Sequence, residues 1–183
     1  MTLRKIAYTA TLLSLTLLLL SLASTGGNPK AAPAPSRPSN SDRQCVPVGG
    51  MLMTNFGAFG ADLNTTLGTA TGDLRGAVSG TLLGVPQPGS GNTVIFRVQH
   101  HWVTETGDAL FFDPATATTV PIASGLFAIL TYPVHLTGGT GKFAGATGDL
   151  TGTTGEVNLP NFPNVTGGTT VLRYSGQVCF ASQ

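Results

Sequence analysis

Charge is scarce in this sequence, which carries nine Lys or Arg and eight Asp or Glu among 183 residues. Such low charge, together with 41% hydrophobic residues, excludes an ordinary disordered chain. The cations are scattered and form no polybasic block, so we expect no nucleic-acid partner. Heptad repeats and collagen triplets are absent as well. The length suits one folded domain, or at most two.

Recognisable catalytic motifs are also missing. The chain has no GxSxG elbow, no phosphate-binding GxxxxGK[ST] loop and no HExxH pair. His100 and His101 are adjacent in a predicted strand, so their side chains leave on opposite faces and cannot share one metal ion. We expect no metal and no cofactor. Whether the protein is an enzyme stays open, with a non-enzymatic role favoured.

Residues 1–23 have the pattern of an export signal. Arg4 and Lys5 precede an apolar run from Ala10 to Leu22, and Ser21 and Ala23 supply the small residues that signal peptidase requires. A permanent anchor is the alternative, but the run falls short of the roughly 20 residues that span a bilayer. We therefore expect cleavage, no stable membrane insertion afterwards, and a secreted or periplasmic protein.

Residues 24–42 are rich in Pro, Ala and Ser and predict a disordered linker. The folded domain is then expected over residues 43–183, with Cys45 and Cys179 near its two ends. Two cysteines in an exported chain most simply form one disulfide. A redox or metal site is the alternative, but no CxxC motif supports it.

Period-two patterns predict β-strands throughout this domain, and no window shows the spacing of a long helix. In the clearest strand, Thr93 to Glu105, alternate residues form an inner face that comprises Val94, Phe96, Val98, His100 and Trp102. A turn at Thr106 and Gly107 predicts a hairpin with residues 108–112. The last strand, Thr169 to Phe180, places Tyr174 inside and Cys179 outside.

Leu126 to Thr137 is predicted as one strand, with Tyr132 on one face and Phe127 and Ile129 on the other. Pro133 lacks an amide donor, so we expect a sheet edge or a bulge there. If Phe127 and Ile129 face solvent, their apolar face favours a homo-oligomer.

One seven-residue pattern occurs twice. Residues 70–76 (ATGDLRG) and 146–152 (ATGDLTG) are identical at six positions. Two similar half-barrels would explain the repeat. We favour a simpler reading, in which two strands bend the same way at glycines.

Antiparallel hairpins and joined ends favour a closed barrel, with a two-sheet sandwich as the competitor. The segment from Gly138 to Gly148 resembles the glycine-rich hairpin of dirigent and allene oxide cyclase-like barrel proteins. The wider run that includes residues 98–101 and 176–180 is similar to exported bacterial proteins grouped with those barrels. This resemblance implies an all-β, calycin-like, eight-stranded antiparallel β-barrel. It carries no activity, because the catalytic residues of the plant enzymes have no match here.

The inner-face aromatic and histidine side chains are the candidate ligand-binding residues: His100, Trp102, Phe96, Tyr132 and Tyr174. Each has a second interpretation as plain core, and for His100 this is a neutral histidine that is hydrogen-bonded in the interior. The sequence favours a protein that binds a small apolar ligand or serves as a structural module. The alternative is a dirigent- or allene oxide cyclase-like enzyme that guides cyclisation or coupling of a small substrate.

Overall fold

The computed structural model describes residues 43–181. The predicted signal peptide and linker, residues 1–42, lie outside the described residues. Among residues 43–181 no helix is long and apolar enough to cross a membrane.

Residues 43–181 form twelve β-strands and three short 3₁₀ turns. The strands are β1 (Gln44–Phe56), β2 (Thr65–Ala70), β3 (Gly76–Leu82), β4 (Gln87–Pro88), β5 (Val94–Thr104), β6 (Ala109–Phe112), β7 (Ala115–Ala123), β8 (Leu126–Thr131), β9 (Val134–Gly139), β10 (Thr147–Leu150), β11 (Thr154–Asn158) and β12 (Thr169–Phe180). The predicted hairpin is confirmed, since β5 pairs with β6 from His101 opposite Phe111 to Val103 opposite Ala109.

The sheet closes on itself as a ring of eight strands. Its order is β1-β2-β3-β5-β6-β9-β10-β12, all neighbours are antiparallel, and β12 pairs again with β1. The other four strands extend members of this ring: β4 pairs with the start of β5, β7 continues β6 along β5, β8 precedes β9, and β11 follows β10 along β12. Closure leaves the main ladder without a free edge.

The disulfide between Cys45 and Cys179 is confirmed. The two residues face each other directly on β1 and β12, so the bond ties together the first and last strands of the ring. Cys45 is exposed and Cys179 half-buried, which places the bond outside the core, as predicted.

Three neighbouring strands are interrupted at the same level of the ring. The interruptions fall between β6 and β7, between β8 and β9, and between β10 and β11. Across each one, the buried positions are three residues apart instead of two: Phe112 and Ala115, Ile129 and Tyr132, Leu150 and Thr153. Each interruption therefore contains one extra residue, as in a β-bulge, which we call the skipped residue. Beyond it, alternate side chains point into the ring again.

This skip corrects the predicted face of Leu126 to Thr137. The irregularity expected near Pro133 is present, because the segment divides into β8 and β9 around Tyr132 and Pro133. Phe127 and Ile129 are buried inside the ring with Tyr132, whereas strict alternation placed them outside. The apolar outer face proposed for a homo-oligomer does not exist at these two residues.

The repeated ATGDL(R/T)G pattern adopts two different structures, so the prediction that both copies are similarly bent strands is wrong. In the first copy Gly72–Leu74 forms a 3₁₀ turn between β2 and β3, whereas the second copy runs into strand β10. The structural counterpart of the first turn is instead Gly141–Phe143, between β9 and β10. Gly72 and Gly141 both have positive φ, of 84° and 52°, a conformation that favours glycine.

Both turns close the same end of the ring. Leu74 and Phe143 follow the two glycines and are almost completely buried. Because consecutive strands are antiparallel, the connections at residues 71–75, 105–108 and 140–146 share this end. Residues 57–64, 83–93, 124–125 and 159–168 connect the strands at the other end.

Candidate functional site

The ring interior contains a cavity in the half away from the turns Gly72–Leu74 and Gly141–Phe143. The space open to the centre of a water-sized sphere is about 60 Å³, room for more than one water molecule. Its wall is mostly aliphatic and aromatic and includes Leu52, Phe56, Val78, Leu82, Phe96, Val98, Ala117, Ile129, Val157 and Leu172. The side chains at the opposite end of the ring, such as Leu110, Leu136 and Phe143, are packed to 1–2% exposure.

Small inward residues account for this space. Gly80 and Ala117 both line the cavity. Gly80 lies opposite His100, and Ala117 lies opposite Phe96, on the strands that flank β5. A larger side chain at Ala117 would extend into this volume, whereas at Gly80 even an added Cβ would lie 3.1 Å from Val98 Cγ1 and 3.3 Å from Thr66 Oγ1.

His100 and Tyr132 form the buried polar pair of the cavity. The Tyr132 hydroxyl and the His100 Nε2 are 2.9 Å apart, and both residues are buried. Burial lowers the pKa of His100 from 6.5 to about 4, with a smaller effect from the charge of neighbouring His101. Burial also raises the pKa of Tyr132. Both side chains are therefore neutral at neutral pH.

One polar atom of this pair has no partner. His100 Nδ1 is buried and makes no hydrogen bond within the described part of the chain. A buried polar atom without a partner costs about 1–3 kcal/mol, so such atoms warrant explanation.

The threonines of the cavity are already hydrogen-bonded. Thr54 and Thr170 share a hydrogen bond of 2.6 Å between their hydroxyls. The Thr66 hydroxyl accepts from the Gly80 amide at 3.0 Å. These side chains are hydrogen-bonded to one another or to the backbone, whereas His100 Nδ1 is a buried side-chain atom of the cavity wall without a partner among the described residues.

Trp102 and Tyr174 lie beyond His100, toward the closed end of the ring. The Trp102 indole donates to the Leu74 carbonyl at 2.7 Å. The Tyr174 hydroxyl accepts from the Leu74 amide at 3.1 Å and donates to the Thr71 carbonyl at 2.8 Å. Burial is the main cause that raises the Tyr174 pKa. Both polar groups therefore hold the 3₁₀ turn that closes the ring.

The five predicted ligand-binding residues thus divide into two groups. Phe96, His100 and Tyr132 line the cavity. Trp102 and Tyr174 instead border a separate space of about 10 Å³, which they share with His100 and Tyr132. That space holds about one water molecule, so His100 and Tyr132 form the boundary between the hollow and the filled halves.

Sequence reasoning missed several cavity residues. Ile129 was assigned to the outer face because the skipped residue before Tyr132 leaves no mark in the alternation. Gly80 and Ala117 were missed because a small inward residue opposite a large one is equally typical of a filled interior.

The described residues show no metal centre. His100 is buried while His101 is exposed on the outer wall, so the two rings leave on opposite faces as expected. Among residues 43–181 no three His, Cys, Asp or Glu side chains come close enough to hold an ion.

Residues 43–181 thus form an all-β domain, in which a closed antiparallel sheet surrounds an apolar cavity. No protein-family model matches the sequence, and no curated protein matches it. Among solved structures, a pterocarpan synthase dirigent protein is similar with a TM-score of 0.31 and 11% sequence identity, over 85% of this chain and 99% of that chain.

A double-mutant cycle tests the His100–Tyr132 pair. We expect Tyr132→Phe to lower the free energy of unfolding by about 1–3 kcal/mol, because it leaves both His100 nitrogens unpaired. The double variant His100→Phe/Tyr132→Phe should cost less than Tyr132→Phe alone, since it removes the unpaired groups. The free energy of unfolding of each variant is measured by urea unfolding, which is followed by the fluorescence of Trp102, the single tryptophan. Additive effects of the two substitutions would contradict the pairing.

Proposed function

We propose that this protein is an exported, dirigent-like β-barrel that binds a small, mainly apolar molecule inside the ring. The observation that carries the proposal is the cavity itself, whose wall is apolar apart from hydrogen-bonded threonines, Ser79 and the His100–Tyr132 pair. Binding sites for small molecules commonly combine such an apolar wall with a few placed polar groups. The closed ring of eight antiparallel strands and the resemblance of the Gly138–Gly148 hairpin support the barrel assignment.

The polar pair indicates what kind of molecule would bind. A neutral imidazole and a neutral phenol can donate or accept a hydrogen bond, and neither offers a charge. Burial disfavours a charged ligand here, because no ionised group lines the cavity to compensate it. The ligand class is therefore a compact hydrocarbon skeleton with one neutral hydroxyl or carbonyl group.

The same pair favours binding over acid–base catalysis. A general base works best when its pKa lies near the working pH, whereas the pKa of His100 is lowered to about 4. The raised pKa of Tyr132 makes its hydroxyl a hydrogen-bond donor and a poor acid. The dirigent- or cyclase-like enzyme would then depend on the shape of the cavity to position its substrate.

A matched pair of probes tests the binding proposal. Cyclohexanol and methylcyclohexane have similar shapes and differ in one hydroxyl group. We expect both to bind, cyclohexanol more tightly, with a change in the emission of Trp102, whose ring borders the space behind His100. In His100→Phe the preference for cyclohexanol should disappear.

Filling the cavity provides the decisive variant. Ala117→Leu should reduce the affinity for both probes at least about tenfold, because its side chain occupies the space that they need. Ala77→Leu is the matched control, since Ala77 is exposed on β3 and the same change there leaves the interior intact. Equal probe binding by the two variants, or no binding by the unaltered protein, would refute the proposal.

A further inference from the structure

His100 and Tyr132 share one hydrogen bond, and either side chain is able to donate it. The Tyr132 hydroxyl carries one hydrogen atom, and a neutral imidazole carries one as well, on Nδ1 or on Nε2. The Tyr132 oxygen and His100 Nε2 lie 2.9 Å apart, so one hydrogen atom lies between them in either case. What each arrangement leaves unpaired decides which nitrogen holds the ring hydrogen.

The two arrangements leave different numbers of buried groups without a partner. If Nε2 holds the hydrogen and donates to Tyr132, the Tyr132 hydrogen and the Nδ1 lone pair are both unpaired within the described part of the chain. If Nδ1 holds the hydrogen, Tyr132 donates to Nε2 and the Nδ1–H group alone is unpaired. Each unpaired buried group costs free energy. The second arrangement, with the hydrogen on Nδ1, is therefore the more stable one.

Nδ1 lies on the edge of the ring that faces away from β3. A Cβ added to Gly80, opposite His100 on β3, would lie 4.0 Å from His100 Cδ2, the nearest atom of that side chain. Cδ2 and Nδ1 occupy opposite edges of an imidazole ring. Nδ1 is thus directed toward the strands on the other side of β5, where Ala117 of β7 lines the cavity. A ligand that contacts Nδ1 from the cavity lies beside Ala117.

We propose that the ligand of this cavity is a hydrogen-bond acceptor, and that the Nδ1–H group of His100 donates to its carbonyl or ether oxygen. This inference rests on the function proposed above and narrows its ligand class. An oxygen acceptor pairs the buried N–H group, whereas a ligand that only donates leaves it unpaired. An alcohol binds in the same way, through its oxygen.

The two side chains have different parts in this recognition. Tyr132 is a positioning residue, because its hydroxyl donates to Nε2 and so keeps the ring hydrogen on Nδ1. His100 makes the contact with the ligand. Nδ1 is buried against its neighbours, but the torsion that orients an imidazole ring has a broad energy minimum. Rotation of the ring about this bond brings the N–H group to the cavity.

The ¹⁵N chemical shifts of His100 measure the position of the ring hydrogen directly, at neutral pH, where this ring is uncharged. We expect Nδ1 to show the shift of a nitrogen that carries hydrogen, and Nε2 the shift of one that does not. In Tyr132→Phe part of the hydrogen should move to Nε2, because no donor holds that nitrogen in its acceptor form. His101, exposed one residue further along β5, is the internal reference for a histidine in water.

Three probes of similar shape separate accepting from donating ligands. Cyclohexanone accepts, cyclohexanol donates and accepts, and methylcyclohexane does neither. The affinity for each polar probe is divided by that for methylcyclohexane in the same chain, so that the cost of removing the probe from water cancels between chains. We expect His100→Phe to lower this ratio about fivefold or more for cyclohexanone and for cyclohexanol alike.

A second variant keeps the test independent of how well His100→Phe folds. His100→Gln retains a polar group near the position of Nε2, within reach of Tyr132, and places none at Nδ1. It should lower the cyclohexanone ratio by the same factor. Urea unfolding followed by the emission of Trp102 verifies that each chain is folded.

Two results would overturn this inference and leave the proposed function standing. One is a ring hydrogen on Nε2 in an unaltered protein that binds the probes. The other is a cyclohexanone ratio that both His100 variants leave unchanged, which would show that the ligand does not accept from this residue. If the unaltered protein binds none of the three probes, the proposed function itself is refuted.

Discussion

Replacing Cys45 and Cys179 together by serine is expected to lower the free energy of unfolding by about 5 kcal/mol. The bond joins residues separated by 134 positions, and the chain-entropy model assigns about this value to so long a loop. The loss falls on the pairing of β1 with β12, where the two ends of the described domain meet. Urea unfolding of the oxidised protein and of the double variant, followed by Trp102 fluorescence, measures the difference.

Chemical reduction separates the cross-link from the substitutions. The unaltered protein in a thiol reductant should unfold at the same urea concentration as the serine variant, because both lack the bond. Asn55→Ser/Thr169→Ser is the matched control, since these residues face each other on the same two strands without a cross-link. A difference below about 1 kcal/mol between the oxidised and the reduced protein would show that the bond contributes little to stability.

The second large effect is a dependence of stability on pH that His100 imposes. The pKa of His100 is about 4 in the folded protein, against 6.5 for an exposed histidine. Between these values the unfolded chain binds one more proton than the folded chain, so the free energy of unfolding decreases as the pH falls from 6.5 to 4. The full loss is about 3 kcal/mol, because one pKa unit corresponds to about 1.4 kcal/mol.

Two histidine variants isolate this contribution. In His100→Phe the decrease between pH 6.5 and 4 should become smaller by about the same 3 kcal/mol, since no buried imidazole is left to protonate. His101→Asn, on the exposed outer face one residue further along β5, should retain the decrease. All three chains carry the same carboxyl groups, so the difference between the curves reports His100. Parallel curves for the unaltered protein and His100→Phe would contradict the inference.

Much of the fold was predictable because its signals are local. The strands around His100 and Tyr174 bury mainly every second residue, and β12 has the predicted bounds from Thr169 to Phe180. The Cys45–Cys179 disulfide followed from the presence of two cysteines in a chain with a predicted export signal. Alternation also separated His100 from His101, so the buried histidine of the cavity was identified before its surroundings were known.

The errors arose where the period of two is interrupted. At Ile129 and Tyr132 the chain skips one residue, and every position on one side of the skip changes face relative to strict alternation. Pro133 indicates where the interruption lies, because proline cannot donate a backbone hydrogen bond. It does not indicate which side chains beyond the interruption point into the ring. Phe127 and Ile129 were therefore placed outside, and two buried residues, of which Ile129 lines the cavity, were mistaken for an interface.

The sequence by itself determined the all-β class, the strand faces within uninterrupted segments and the cysteine pairing, because each depends on residues a few positions apart or on composition. Only the tertiary structure decided which strands meet around the ring, and with that whether Gly80 and Ala117 leave a void beside His100. It also decided the fate of the repeated ATGDL segments. Ala70 ends a strand that turns at Gly72, whereas Asp149 lies between β9 and β12 and pairs with both. Identical local preferences gave a turn in one place and a strand in the other, because hydrogen bonds to neighbouring strands outweigh the intrinsic preference of a short glycine-containing segment.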